Sequence, residues 1–202
     1  MQAKVLGIVG SPRRGGNTDL LVEQVLAGVR AHGIEAEKVL LGELEIAPCR
    51  ACYSCADSGR CVIDDDFQNI LGKILESTGI VLGSPMYVGT VTAQMKALVD
   101  RLDCSQVEML RAPTGEVLFQ SRHQGRFGVV VAICDLSPLA ELHHCARVME
   151  ACLRDLGAEP VDELLARRLS NVGDVEGRPE LLERAFRVGE RLAAAIRGGG
   201  TG

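Results

Sequence analysis

The sequence predicts an α/β fold: a parallel β-sheet with helices packed on both faces. Two observations carry this. Strand-like apolar runs and amphipathic helical stretches alternate five times along the 202 residues. Runs such as residues 3–10 and 127–134 are nearly continuous in apolar residues, as suits strands buried on both faces.

Taken in order, residues 3–10 form the first strand and a glycine-rich turn follows. From Asn17 the chain is helical, with Leu21, Val22, Val25, Leu26 and Val29 on one face and Gly33 as the stop. Residues 35–41 form strand two, and a cysteine-rich loop fills 43–64. Residues 64–78 read as a helix whose acidic start suits the helix dipole. Residues 79–85 form strand three. After a second glycine-bearing turn, Met95, Leu98, Val99 and Leu102 repeat at helical spacing. Residues 105–125, with Pro113 and Gly115, read as a long polar excursion. Strand four is 127–134, a helix covers 137–156 and strand five is 158–165. The last helix, 179–196, aligns Leu181, Ala185, Val188 and Leu192 on one face. Residues 1–196 form one domain, and 197–202 form a flexible tail.

Composition narrows the function classes. The chain is 47% hydrophobic and 24% charged, with 22 basic against 27 acidic residues and a net charge of −5. No basic block exists, so nucleic acid is not an expected partner. The first residues lack a signal-peptide layout, and no apolar run approaches the roughly 20 residues of a membrane helix. A soluble, cytoplasmic protein is expected.

The loop after strand one, Gly10–Thr18, carries phosphate-binding chemistry. Gly15 and Gly16 permit close backbone approach, and N–H groups at the helix start are free to meet an anion. Ser11, Asn17 and Thr18 add side-chain donors, and Arg13 or Arg14 adds charge. It is not a Walker A loop, because Gly16 and Asn17 stand where Lys and Ser/Thr are required. The plainer reading is a strand-to-helix turn with Asn17 or Thr18 as N-cap.

The loop after strand three places Pro85, Met86, Tyr87, Val88 and Gly89 as a semi-apolar rim, which suits a flat heteroaromatic ring. Lys96, Asp100 and Arg101 follow, and read as surface charge or a helix–helix contact.

Cys49, Cys52, Cys55 and Cys61 are spaced C-x2-C-x2-C-x5-C. Four thiolates suit zinc or an iron–sulfur cluster, and free thiols or a redox disulfide form a third option. Consecutive two-residue gaps are closer to the ferredoxin run than to paired zinc motifs. Arg50 and Arg60 would favour the thiolate forms. Cys104, Cys134, Cys145 and Cys152 are scattered and read as small buried apolar side chains.

These three motifs, in this order, closely resemble the flavodoxin-like NAD(P)H-dependent FMN reductases, and most of all the iron–sulfur flavoprotein branch. The resemblance spans roughly residues 3–165. It implies a doubly wound five-stranded parallel sheet of order 2-1-3-4-5. It implies FMN, with Ser11, Arg13, Asn17 and Thr18 as the phosphate grip and Pro85 to Gly89 as the isoalloxazine loop. Cys49, Cys52, Cys55 and Cys61 resemble [4Fe–4S] ligands. Electrons would arrive from ferredoxin or NAD(P)H and leave to a small acceptor such as a quinone, oxygen or peroxide. No residue need act as nucleophile. A homodimer or homotetramer is expected, as is a cysteine loop opening on the same sheet edge as the flavin. One departure is the loop after strand four, with Cys134, Asp135 and Ser137 where a Gly-Gly pair is common. His143 and His144, in the next helix, read as solvated or packed. The alternatives are a cluster-free FMN or quinone reductase, and a zinc-stabilised nucleotide-binding module without turnover.

Overall fold

The structure is a computed structural model and describes residues 2–56, 58–111 and 114–199. In chain order the elements are β1 (Lys4–Val9), α1 (Asn17–Ala31), β2 (Glu35–Leu40), α2 (Phe67–Glu76), β3 (Gly79–Pro85) and α3 (Ala93–Gln106). Then come β4 (Val107–Arg111), β5 (Val117–Ser121), β6 (Arg126–Ile133), α4 (Leu139–Asp155), β7 (Ala158–Ala166) and α5 (Pro179–Gly199). Five strands form one sheet in the order β2-β1-β3-β6-β7, and every neighbouring pair is parallel. With the separate β4–β5 pair set aside, this is the 2-1-3-4-5 order that the family resemblance implied.

The sheet has a core on each face because side chains alternate along a strand. Leu6, Ile8, Ile80, Leu82, Val130 and Ala132 face α2, α3 and α4, meeting residues such as Ile70, Leu98 and Met149. Val5, Val9, Val81, Val129 and Val131 face α1 and α5, including Leu26 and Leu192. In the inner strands β1, β3 and β6 both faces are therefore buried, which is why those runs read as continuous, whereas the edge strands β2 and β7 carry exposed charged residues. Helices α1 and α5 cross at glycine. A Cβ on Gly189 would lie 1.9 Å from the Val25 carbonyl oxygen, and one on Gly28 would lie 2.1 Å from that of Phe186.

Three expectations need correction. The long polar excursion expected over 105–125 carries an antiparallel pair: α3 runs to Gln106, and Val107–Arg111 pairs with Val117–Ser121. The strands are short and face solvent, with Leu118 and Phe119 exposed, so no core contrast marked them. Pro113 lies outside the described residues. The helix expected over 64–78 begins only at Phe67: the Asp65 carboxylate accepts from Phe67 N at 3.1 Å and from Ala47 N at 2.9 Å, and Asp66 Oδ2 accepts from Glu45 N at 2.8 Å, tying the helix start to the residues before the cysteine loop. Helix α5 continues through Arg197, Gly198 and Gly199, where Gly199 lies against the Phe127 ring and Arg197 donates to the His32 carbonyl. Residues 200–202 of the expected tail lie outside the described residues. Among the described residues, no helix is long and apolar enough to cross a membrane.

Candidate functional site

The chain leaves β1 toward β2 on one side and toward β3 and β6 on the other. Such a reversal opens a crevice at the carboxyl ends of the strands. A cleft of about 430 Å³ lies there.

One wall comprises Ser11, Arg13, Gly16, Asn17 and Thr18. Gly15 takes a left-handed φ of 67°, and its N–H donates to Asp19 Oδ2 at 2.8 Å, which holds the turn. Gly16 is the N-cap of α1 and offers no side-chain cap, so the first-turn N–H groups stay free of one. Neither Asn17 nor Thr18 caps the helix. Asn17 instead ties across the fold, donating from Nδ2 to Asn171 O at 2.7 Å and accepting from Val175 N at 3.1 Å. Thr18 Oγ1 is buried and has no partner among the described residues. Arg13 is exposed and donates to Ser170 O at 3.3 Å. Arg14 is turned to Glu43 at 3.0 Å and does not line the cleft.

The second wall comprises Pro85, Met86, Tyr87 and Val88. Met86 N bonds Ile133 O at 2.7 Å, and Tyr87 and Thr90 exchange backbone bonds of 2.8 and 3.2 Å around a tight turn. Val88 and Gly89 take φ values of 49° and 76° at its tip. Gly89 shapes this turn but is not among the lining residues. Thr92 locks the two loops together: its Oγ1 accepts from Met95 N at 3.2 Å and donates to Gly10 O at 2.6 Å.

The third wall comprises Ile133, Cys134 and Asp135 with Leu169, Ser170 and Val172. Bonds from the Ser137 backbone and hydroxyl hold the Asp135 carboxyl below its usual range. Burial pushes the Cys134 thiol up. Residues 169–172 went unseen in the sequence, although they follow the last strand and so share its carboxyl edge. His143 and His144 do not line the cleft.

Cys49, Cys52, Cys55 and Cys61 line a second, narrow niche, together with Arg50, Arg101 and Cys104. Arg60 is not among its lining residues. The cysteine segment is irregular, with Ala51 and Tyr53 at φ values of 50° and 56°. Cys55 is buried and its Sγ donates to Cys104 O at 3.0 Å. Burial pushes the Cys55 thiol up, whereas hydrogen bonds from Ser54 lower that of exposed Cys52. Cys104 departs from its expected role as a packed apolar residue. It is half-buried, its Sγ lies 3.7 Å from Cys49 Sγ, and burial followed by that contact pushes its thiol up to about 12. Cys134, Cys145 and Cys152 are buried as expected. Among the described residues, no three His, Cys, Asp or Glu groups gather as one metal ion would need. The donor set around the niche is all sulfur, the chemistry of an iron–sulfur centre.

The residues C-terminal to the second loop divide. Lys96 and Asp100 form an exposed pair at 2.5 Å, whereas Arg101 is fully buried beneath the cysteine segment. Its guanidinium meets Asp65 Oδ2 at 2.5 Å and lies 4.1 Å from the Phe67 ring centroid. Burial works to raise the Asp65 carboxyl, but the Arg101 bond and backbone bonds from Ala47 and Phe67 outweigh it and hold it low.

Niche and cleft share no lining residue. Helix α3 begins at the cleft, through Thr92, and carries Arg101 and Cys104 near its other end. Its rise puts Cys104 about 18 Å along the axis from Thr92. The N-terminal end of α3 is thus bonded to the loop after β1 through Thr92, and its C-terminal part lines the cysteine niche.

Residues 3–154 match the family model described as NADPH-dependent FMN reductase. An iron-sulfur flavoprotein of Methanocaldococcus jannaschii is 50% identical over 98 residues, 48% of this chain and 51% of that protein. One from Archaeoglobus fulgidus is 29% identical over 195 residues, 96% of this chain and 80% of that protein. The alignments span about half the length of several curated relatives. Among solved structures, the chain superposes on an NAD(P)H:quinone oxidoreductase from Methanothermobacter marburgensis with a TM-score of 0.71 at 17% identity, covering 95% and 96% of the two chains. A flavodoxin from the domain Archaea gives 0.58 at 14% identity, covering 96% and 99%. At such identities the likeness is one of fold, and that fold is flavodoxin-like.

Proposed function

The chain belongs to the NADPH-dependent FMN reductase family, and from that premise we propose that it is an FMN-dependent oxidoreductase whose cysteine segment carries an iron–sulfur cluster. The observation that carries the flavin reading is Thr18 Oγ1, a buried hydroxyl without a partner in the wall of a cleft at the sheet's switch point. A buried polar atom of this kind calls for a ligand partner. With Ser11, Arg13, Asn17 and the free N–H groups of α1, it makes a site for a phosphate dianion. Opposite, Pro85, Met86, Tyr87 and Val88 supply apolar surface and backbone groups for a flat ring, while the Gly89 turn holds them in place. FMN exchanges one or two electrons and so joins one-electron to two-electron partners. The protein's part is to anchor the phosphate, orient the ring and limit water at its face.

Cys49, Cys52, Cys55 and Cys61 would hold the cluster. The names of the similar proteins and the shared niche support this. NAD(P)H or ferredoxin is the proposed donor and a quinone, oxygen or peroxide the proposed acceptor. The working form is a homodimer or homotetramer.

Anaerobic purification with a visible spectrum, flavin release on denaturation, and iron and acid-labile sulfide assays test the reading. One FMN and about four irons per chain are expected. Flavin without iron would favour a cluster-free reductase, and zinc without flavin a nucleotide-binding module.

A further inference from the structure

Arg101 is the largest fully buried side chain among the described residues. A buried charge is costly unless its surroundings use it. Here Nη1 donates to Ala47 O at 3.3 Å, Nη2 to Ile63 O at 3.2 Å, and Nη1 also meets Asp65. Ala47 lies just before Cys49 and Ile63 just after Cys61. One guanidinium thus ties both ends of the cysteine segment to helix α3. Asp65 closes the link by accepting from Ala47 N at 2.9 Å. These contacts leave Nε buried with no partner, and Arg101 is itself a lining residue of the thiols' niche.

We propose that Arg101 is the positioning residue of the cysteine centre, fixing the mouth of the loop and biasing the centre's reduction potential with its buried charge. The inference rests on the cluster reading above. A clamp for an ordinary loop needs the two carbonyl bonds alone. The spare buried donor belongs to a residue that lines the niche, and sulfur-ligated centres are tuned by hydrogen bonds to their sulfurs. One-electron reduction adds a negative charge to such a centre. A fixed cation nearby, in a medium of low dielectric, favours that reduced state. Asp65 offsets part of this field.

Two variants separate position from charge. Arg101→Lys keeps the charge but cannot span Ala47, Ile63 and Asp65 together. Asp65→Asn keeps the size but removes the offsetting charge. Each is prepared anaerobically, FMN content serves as the folding control, iron retention is read against a chelator, and the midpoint potential is followed by EPR. Arg101→Lys should hold iron about tenfold less well, with FMN unchanged. The centre in Asp65→Asn should have a more positive midpoint than wild type. Iron retention equal to wild type in Arg101→Lys overturns the positioning role, and an unmoved potential in Asp65→Asn overturns the charge role. Wild-type protein with FMN but neither iron nor sulfide overturns the cluster reading, and this inference with it.

Discussion

The Sγ atoms of Cys49 and Cys104 lie 3.7 Å apart, although the residues are 55 positions apart in the chain. A disulfide needs about 2.05 Å between sulfurs, and the irregular segment around Cys49 has the freedom to close that gap. In metal-free protein treated with hydrogen peroxide, the two thiols should give a disulfide and two waters. A non-reducing peptide map should recover Cys49 joined to Cys104. Cys49 joined to Cys52 instead would contradict the arrangement, and Cys104→Ser should abolish the expected product.

Arg13 lines the cleft, whereas Arg14 is turned to Glu43 outside it. Arg13→Ala should weaken FMN binding by about 1.5–3 kcal/mol, the worth of a charge-assisted bond. Arg14→Ala should leave it nearly unchanged. Flavin fluorescence titration of apoprotein reads both, and equal losses would place the phosphate elsewhere.

The lowered pKa of Asp65 makes its bond with Arg101 pH-dependent. A carboxyl whose folded pKa is depressed stabilises above its ordinary pKa, near 3.8, and loses that contribution as pH falls through the lowered value. Asp65→Asn leaves a buried guanidinium uncompensated and should cost about 3–5 kcal/mol at neutral pH. Urea unfolding across pH should show this gap constant above about pH 5 and shrinking in acid. A gap that persists unchanged at low pH would show that the carboxylate charge is not what holds Arg101.

Gly189→Ala would drive a methyl into the Val25 carbonyl across the α1–α5 crossing. Rigid backbone on both sides leaves no side chain to give way. The variant should lose about 1–3 kcal/mol or more in urea unfolding. Gly72→Ala, with open space around its Cβ position, should not.

Several features were legible in the chain because they are local. The inner sheet strands announce themselves through runs such as Val129 to Ile133, since each residue meets apolar neighbours on its own face. Ser11, Arg13, Asn17 and Thr18 could be singled out because residues near in sequence share one turn. The β4–β5 pair escaped because its apolar side chains face water, so the pattern of apolar and polar residues carried no burial signal. Asp65 and Asp66 read as helix residues in the sequence, but their carboxylates also hold Ala47 N and Glu45 N, 18 and 21 positions upstream, which leaves the helix to begin at Phe67.

By itself, the sequence determined the alternation of strands and helices and hence the parallel sheet, because periodicity and turn chemistry operate over a few residues, while the strand order came from the family resemblance. Only the tertiary structure decided what surrounds the loops between them. It seated Arg101 and Cys104 under the cysteines, 54 and 55 positions from Ala47 and Cys49, and brought Asn171 to Asn17 across 154. It also set the C-terminal part of α3 against the thiol niche. Such neighbours arise from how helices and loops pack, and packing partners leave no periodic trace in a single chain.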